Sequence, residues 1–70
     1  MTTVVKKHTS DNYHIVMEIE LTETGGYYVV QACPRVSDDL FGFPVRRMVY
    51  ALNEKKNAEA AFRRYKKAYL

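Results

Sequence analysis

The residues that could do chemistry in this 70-residue chain are one cysteine, two histidines and eight carboxylates. A nucleophilic thiol needs a positioned base beside it. His14 shares a predicted strand face with Cys33, but the expected pairing sets Cys33 opposite Glu18, two alternate residues beyond His14. No third group orients such a pair. The sequence therefore predicts no catalytic site and a chain that is not an enzyme.

Metal binding would recruit His14, Glu18 and Glu20, which share one face of a predicted strand. Alternate strand residues are ~7 Å apart, so His14 and Glu18 would be about 13 Å apart, too far to ligate one ion. A single cysteine also excludes an internal disulfide. We therefore expect no metal and no cofactor.

Positive charge is concentrated in the C-terminal half. Residues 1–36 carry three lysines and arginines against four acids, whereas residues 37–70 carry eight against four. Clustered cations on one element are the electrostatic footprint of nucleic-acid binding. The candidate contacts are Arg46, Arg47, Arg63, Arg64, Lys66 and Lys67.

The same cations have a structural explanation. Several lie near the end of a predicted helix, where the helix dipole favours positive charge. Lys55 and Arg63 each stand four residues from Glu59, the spacing of an intrahelical ion pair. A solvated helix face and a nucleic-acid contact are therefore both open.

Two alternating segments predict a β-hairpin. Tyr13 to Leu21 places apolar residues on one face and mostly polar residues on the other, which is typical of a half-buried strand. Gly25 and Gly26 predict a two-residue turn because both accept positive φ, and the second strand runs from Tyr27 to about Val36.

The register of this hairpin follows from the turn. A slip by one residue would bring Gln31 into the core, so the two-residue turn is preferred. Pro34 cannot donate to the ladder and predicts a strand end or a bulge. The expected pairs are Leu21 with Val30, Ile19 with Ala32 and Met17 with Pro34.

A loop and a third strand follow. Ser37 to Pro44 has the composition of a loop, yet it holds Leu40, Phe41 and Phe43, which we expect to fold back over the core. The alternative is that they are offered to a partner. Val45 to Leu52 is rich in β-branched and aromatic residues and predicts a strand. Its helix side is expected to be Met48, Tyr50 and Leu52, which bury more area than Val45, Val49 and Ala51.

The segment from Asn53 to Leu70 predicts an amphipathic helix with Asn53 as its N-cap. The fold class that follows is α+β: a three-stranded antiparallel β-meander with one C-terminal helix packed on one face, in the order β-β-β-α. The inner helix face is Ala58, Ala61, Phe62, Tyr65 and Tyr69.

The first twelve residues are ambiguous. Val4 and Val5 favour a strand, whereas the segment from Ser10 to Asn12 has turn composition. Residues 1–12 are therefore either a flexible N-terminus or a short extra edge strand, and residues 13–70 are expected to form a single domain.

Size points to a partner. A chain of 70 residues buries only roughly 60% of the surface that it exposes when unfolded. Small domains usually add disulfides, a metal or a partner subunit, and self-association is the remaining candidate. No segment has the ~20 apolar residues of a membrane span or the apolar core of a signal peptide, so we expect a cytoplasmic location.

The sheet face away from the helix is the second candidate surface, because it is partly apolar and its strand edges are exposed. Self-association or a protein partner would use this face. The candidate interface residues are Val16, Val29, Cys33 and Val49 on the face, with Leu40 and Phe41 in the loop.

The element order resembles three-stranded-sheet-plus-helix DNA-binding domains such as the arm-binding domains of tyrosine integrases, and that resemblance implies readout of the major groove by the sheet. Outward Glu18 and Glu20 would repel phosphate there, so we expect contacts on the third strand and helix instead. The sequence favours a non-enzymatic binding or interaction module that self-associates through the open sheet face. The alternative is a nucleic-acid-binding domain.

Overall fold

In the computed structural model, one antiparallel sheet is covered on one side by a single helix. The structure describes the backbone of residues 2–12, 15–37 and 40–69. The predicted α+β meander with a C-terminal helix is confirmed, and the N-terminal segment adds a strand to it. The elements are β1 Thr2–Asn12, β2 Ile15–Thr24, β3 Tyr27–Ser37, β4 Leu40–Phe41, β5 Arg46–Ala51, a 3-10 turn at Leu52–Glu54 and helix α1 Lys55–Ala68.

The β2–β3 hairpin has the predicted register. Gly25 and Gly26 have φ angles of 57° and 85°, which glycine adopts without the steric cost that a Cβ would add. Because direct antiparallel partners lie on the same face, the apolar residues of both strands form one continuous surface. The predicted pairs are all observed: Leu21 with Val30, Ile19 with Ala32 and Met17 with Pro34.

The N-terminal segment forms β1, which pairs with β2 at one edge of the sheet. It is 11 residues long, so the edge-strand alternative is the one observed, and β1 is as long as β3. The register shifts between Val4 and Lys6, which leaves Val5 as a β-bulge. The predicted strand residues Tyr13 and His14 lie outside the described residues.

The opposite edge is built from β4 and β5 in turn. Between them the chain stays bonded to β3, because the Gly42 N–H donates to the Pro34 carbonyl (2.7 Å) and the Val45 N–H donates to the Ala32 carbonyl (2.9 Å). Residues 42–45 of this edge lie opposite only Cys33 and Pro34 of β3. The edge therefore bulges beside Pro34, where a bulge or a strand end was predicted. The predicted strand over residues 45–52 is observed as Arg46–Ala51.

Phe43 shows that the expected packing of this loop is wrong. Its side chain is 92% exposed, whereas Leu40, Phe41 and Phe43 were expected to fold back over the core. The backbone bonds of Gly42 and Val45 hold the loop along the sheet edge. The side chains of Leu40 and Phe41 lie outside the described part of the chain.

The face of β5 that meets α1 has the predicted parity. Tyr50 pairs with Tyr28 and Met48 pairs with Val30. Tyr28 and Val30 are in the core, so Met48 and Tyr50 lie on the helix side, where Tyr50 packs against the core and Met48 stays half exposed. Leu52 was expected on this face but belongs to the 3-10 turn and is exposed, because the strand ends one residue earlier.

Helix α1 begins later than predicted. Asn53 lies inside the 3-10 turn, so its prediction as the N-cap is wrong. Glu54 is the N-cap residue, and its carboxylate accepts a hydrogen bond from the Asn57 side-chain amide (3.4 Å) rather than from the helix backbone. The tight turn carries the chain from the sheet edge onto the sheet face within three residues.

The core lies between α1 and the central strands. Each fully buried aliphatic or Phe side chain contributes roughly 1.5–3 kcal/mol relative to exposure. Tyr50 and Tyr69 are partly buried against this cluster. The buried apolar residues are Met17, Ile19, Leu21, Tyr28, Val30, Ala32, Ala58, Ala61, Phe62 and Tyr65.

Strand β1 meets α1 through polar contacts. Lys6 Nζ lies 3.2 Å from Glu59 Oε2. The Ser10 hydroxyl donates to the Tyr69 carbonyl, which follows the last turn of the helix and therefore lacks an intrahelical donor. These contacts hold one flank of α1 without apolar burial.

The packing predicts the effect of truncating Phe62. Phe62→Ala should lower the free energy of unfolding by about 3–5 kcal/mol, because it removes a buried aromatic and leaves a cavity. Urea denaturation measures this, with exposed Arg63→Ala as the control, which should stay within about 0.5 kcal/mol. A loss below about 1 kcal/mol for Phe62→Ala would contradict the observed packing.

Candidate functional site

The side of the sheet away from α1, here called the open face, carries alternate residues of each strand. Direct partners stand side by side, so these residues form rows across the strands. The open face has an apolar end near the hairpin turn and a charged centre. Its rows are Val4, Thr22, Val29 and Val49; then Lys7, Glu20, Gln31 and Arg47; then Thr9, Glu18 and Cys33.

Glu18 lies in the charged centre and is only 2% exposed, although it is outside the apolar core. Its Oε2 accepts a hydrogen bond from the Thr9 hydroxyl (3.0 Å) and lies 3.9 Å from Lys7 Nζ. Its Oε1 accepts a hydrogen bond from the Arg35 guanidinium. A buried carboxylate is tolerated when it is paired and hydrogen-bonded in this way.

Glu18 lies on the face away from α1, as expected, but the expectation that its charge repels phosphate there is wrong. Cross-strand neighbours cover the carboxylate and offset its charge. Among the described residues, the open face holds three cations and three acids, so it is balanced rather than acidic. The cations are Lys7, Arg35 and Arg47, and the acids are Asp11, Glu18 and Glu20.

Removing the charge of Glu18 should destabilise the fold. Glu18→Gln keeps the shape and an acceptor for Thr9 but removes the negative charge that faces Arg35 and Lys7, so the free energy of unfolding should fall by about 1–3 kcal/mol. Glu20→Gln, on the same strand face, is the control and should change it by less than about 0.5 kcal/mol. Equal urea midpoints for the two variants would mean that the Glu18 cluster adds no stability.

Exposed apolar side chains cross the open face at its hairpin end. Val4 is 55% exposed and Val49 is 48% exposed, with buried Thr22 and half-buried Val29 between them. Tyr27, one row nearer the turn, is 54% exposed. We call Val4, Tyr27, Val29 and Val49 the apolar row. Exposed apolar side chains grouped at one end of a polar face are typical of a protein–protein contact.

The structure brings some of the predicted interface residues together and separates others. Val29 and Val49 are direct partners. Cys33 lies four residues from Val29 along β3, about 13 Å away. Val16 pairs with Arg35, further still from the turn.

Sequence reasoning missed two members of the apolar row. Val4 belongs to β1, whose pairing with β2 was not predicted. Tyr27 has the same parity as Val29 along β3, and that alternation was a signal that could have found it.

Cys33 has the surroundings of a structural strand residue. It is half-buried on the open face and pairs with Glu18. Burial raises the pKa of its thiol, and the charge of Glu20 raises it further. Both effects disfavour the thiolate, which is the nucleophilic form.

The reactivity of Cys33 tests this environment. Its alkylation by iodoacetamide should accelerate at a higher pH than alkylation of the same chain unfolded in urea, because the folded thiol loses its proton later. Glu20→Gln should move the folded profile part of the way back. A folded profile at or below the unfolded one would contradict the raised pKa.

The predicted nucleic-acid contacts divide between two sides of the sheet. Arg47 pairs with Gln31 on the open face, whereas Arg46 pairs with Ala32 on the helix side. The Arg46 guanidinium carbon lies 6.0 Å from the centre of the Tyr69 ring, so it reaches the end of α1. It joins the exposed helix cations Lys55, Lys56, Arg63, Arg64, Lys66 and Lys67.

Glu59 does not form the intrahelical ion pairs that its spacing suggested. Its carboxylate is bonded to Lys6 of β1. That hydrogen bond holds the pKa of Glu59 below its ordinary value, with smaller contributions from the charges of Lys55 and Arg63. Within residues 2–12, 15–37 and 40–69, no ion pair joins a cation of α1 to an acid.

Comparison of the chain with known protein families, with curated proteins and with solved structures gives no match. Among the described residues, no group of histidine, cysteine and carboxylate side chains is placed to hold a metal ion. In the same part of the chain, α1 is too short and too polar to cross a bilayer.

Proposed function

We propose that this chain is a small, non-enzymatic binding module that self-associates through the open face of its sheet. The observation that carries the proposal is the apolar row, in which Val29 and Val49 are direct partners and exposed Val4 and Tyr27 lie at the same end of the open face. Burial of such surface is the main favourable term in protein association. The lone Cys33 supports a reducing, cytoplasmic location as part of the proposal.

Charge favours a second copy of the chain as the occupant. The open face carries equal numbers of described cations and acids, so two such faces can approach without net repulsion. The exposed side of α1 is strongly basic, and two copies of it would repel each other. Self-association through the open face is therefore favoured over self-association through α1.

The molecule is large enough to offer an interface of ordinary size. A standard interface takes ~800 Å² from each partner. The molecule measures 37 × 24 × 16 Å along its principal axes, so its broadest side is close to that area.

Adjacent residues of β5 provide a matched test. Val49 and Met48 are 48% and 47% exposed, but Val49 is on the open face and Met48 is on the helix side. Sedimentation equilibrium should give wild type and Met48→Lys a mass near twice the 8.2 kDa of the chain. Val49→Lys should give the mass of one chain, because it places a charge in the apolar interface.

Two results would overturn the proposal. One is a wild-type mass of a single chain at the highest soluble concentration. The other is a Val49→Lys variant that associates as strongly as Met48→Lys. Circular dichroism of all three proteins confirms that the comparison is made between folded chains.

A further inference from the structure

The exposed side of α1 carries a density of positive charge that the fold does not use. We call Arg46 and the six exposed helix cations at positions 55, 56, 63, 64, 66 and 67 the basic surface. The helix dipole accounts for the two lysines of the last turn. It disfavours Lys55 and Lys56, which stand in the first turn, and the acid that precedes them, Glu54 at the N-cap, is bonded to Asn57.

Local ion pairing does not explain the basic surface either. Glu59, the one acid within α1, is bonded to Lys6 of β1. Like charges crowded on one helix face destabilise it slightly. Lys55 and Arg63 interact with Glu59 only as weaker charge contributions. Cations that cost stability and form no ion pair among the described residues indicate an anionic partner.

The partner must be a polyanion rather than a single group. Lys56 and Lys67 are eleven residues apart, which is ~16 Å along a helix axis. A nucleic-acid strand in B-form geometry, at 3.4 Å per phosphate, carries about five phosphates over that length. Arg63 lies between the two lysines on the same exposed side of the helix.

A membrane surface does not fit. A helix that lies in a bilayer interface needs a free apolar face. The apolar face of α1 is buried in the core by Ala58, Ala61, Phe62 and Tyr65, and its exposed side holds no large apolar residue.

Phe43 distinguishes the kind of nucleic acid. It is 92% exposed and stands three residues before Arg46, which reaches the C-terminal end of α1 through its contact with Tyr69. An exposed aromatic ring can stack on an unpaired base, whereas the bases of a duplex are already stacked. We propose that the basic surface binds single-stranded nucleic acid, with its cations on the phosphates and Phe43 stacked on a base.

Fluorescence anisotropy with a labelled thymidine 20-mer, at salt concentrations between 50 and 200 mM, is the test. The wild-type chain should bind this strand more tightly than the matching duplex. The triple variant Lys56→Gln, Arg63→Gln, Lys67→Gln should reduce the slope of log K against log salt by about two, since each phosphate contact contributes about 0.7. Glutamine has similar helix propensity, so α1 should be retained.

Two controls separate the site from net charge and from general apolar contact. Lys7→Gln removes a charge from the open face and should leave the slope unchanged, whereas an effect of net charge alone would give about one third of the triple variant's change. Phe43→Leu should weaken single-strand binding by about 5- to 100-fold without changing the slope. Val45→Ala, in the same exposed loop, should bind like wild type.

The inference fails if the chain binds neither the single strand nor the duplex at 50 mM salt. It fails as well if the chain binds the duplex as tightly as the single strand. It also fails if the triple variant behaves like Lys7→Gln, if Phe43→Leu binds like wild type, or if anionic phospholipid vesicles compete as well as the strand. The Val49→Lys variant separates this test from self-association. If that variant is a monomer and binds the strand as tightly as wild type, strand binding does not depend on the dimer.

Discussion

The whole structure depends on the positive φ angles at Gly25 and Gly26. They close the β2–β3 hairpin in two residues and so decide which side of the sheet each side chain occupies. A shift by one residue would exchange the two faces of β3 relative to β2. The helix side of β3 would then carry Gln31 and Cys33 instead of Val30 and Ala32, against which α1 packs.

The two faces of the sheet solve different problems. Under α1, apolar burial offsets the conformational entropy lost on folding. On the open face, Glu18 is buried by charged neighbours, which repay much of the desolvation cost but add less stability than apolar packing would. The contacts of Glu18 therefore fix the side chains at the centre of the open face, whereas the apolar side chains at its hairpin end stay exposed.

The hairpin and the helix could be predicted because each has a strong local signal, a Gly-Gly turn in one case and apolar spacing in the other. Strand β1 lacked such a signal, because the residues that it places on the helix side of the sheet are the polar residues Lys6, His8 and Ser10. Asn53 was misassigned because a 3-10 turn replaced the expected cap. The binding surfaces were harder still: burial of Glu18, capture of Glu59 by Lys6 and exposure of Phe43 all depend on contacts between residues distant in sequence.

The polar character of β1 creates a gradient of local stability across the sheet. Among its described side chains Ser10 alone is buried, so detaching β1 exposes little apolar area and needs much less free energy than global unfolding. Its amide protons should therefore exchange with solvent through local opening, earlier than those of β2 and β3. An opened β1 uncovers the edge of β2, whose backbone N–H and C=O groups then lack their strand partners.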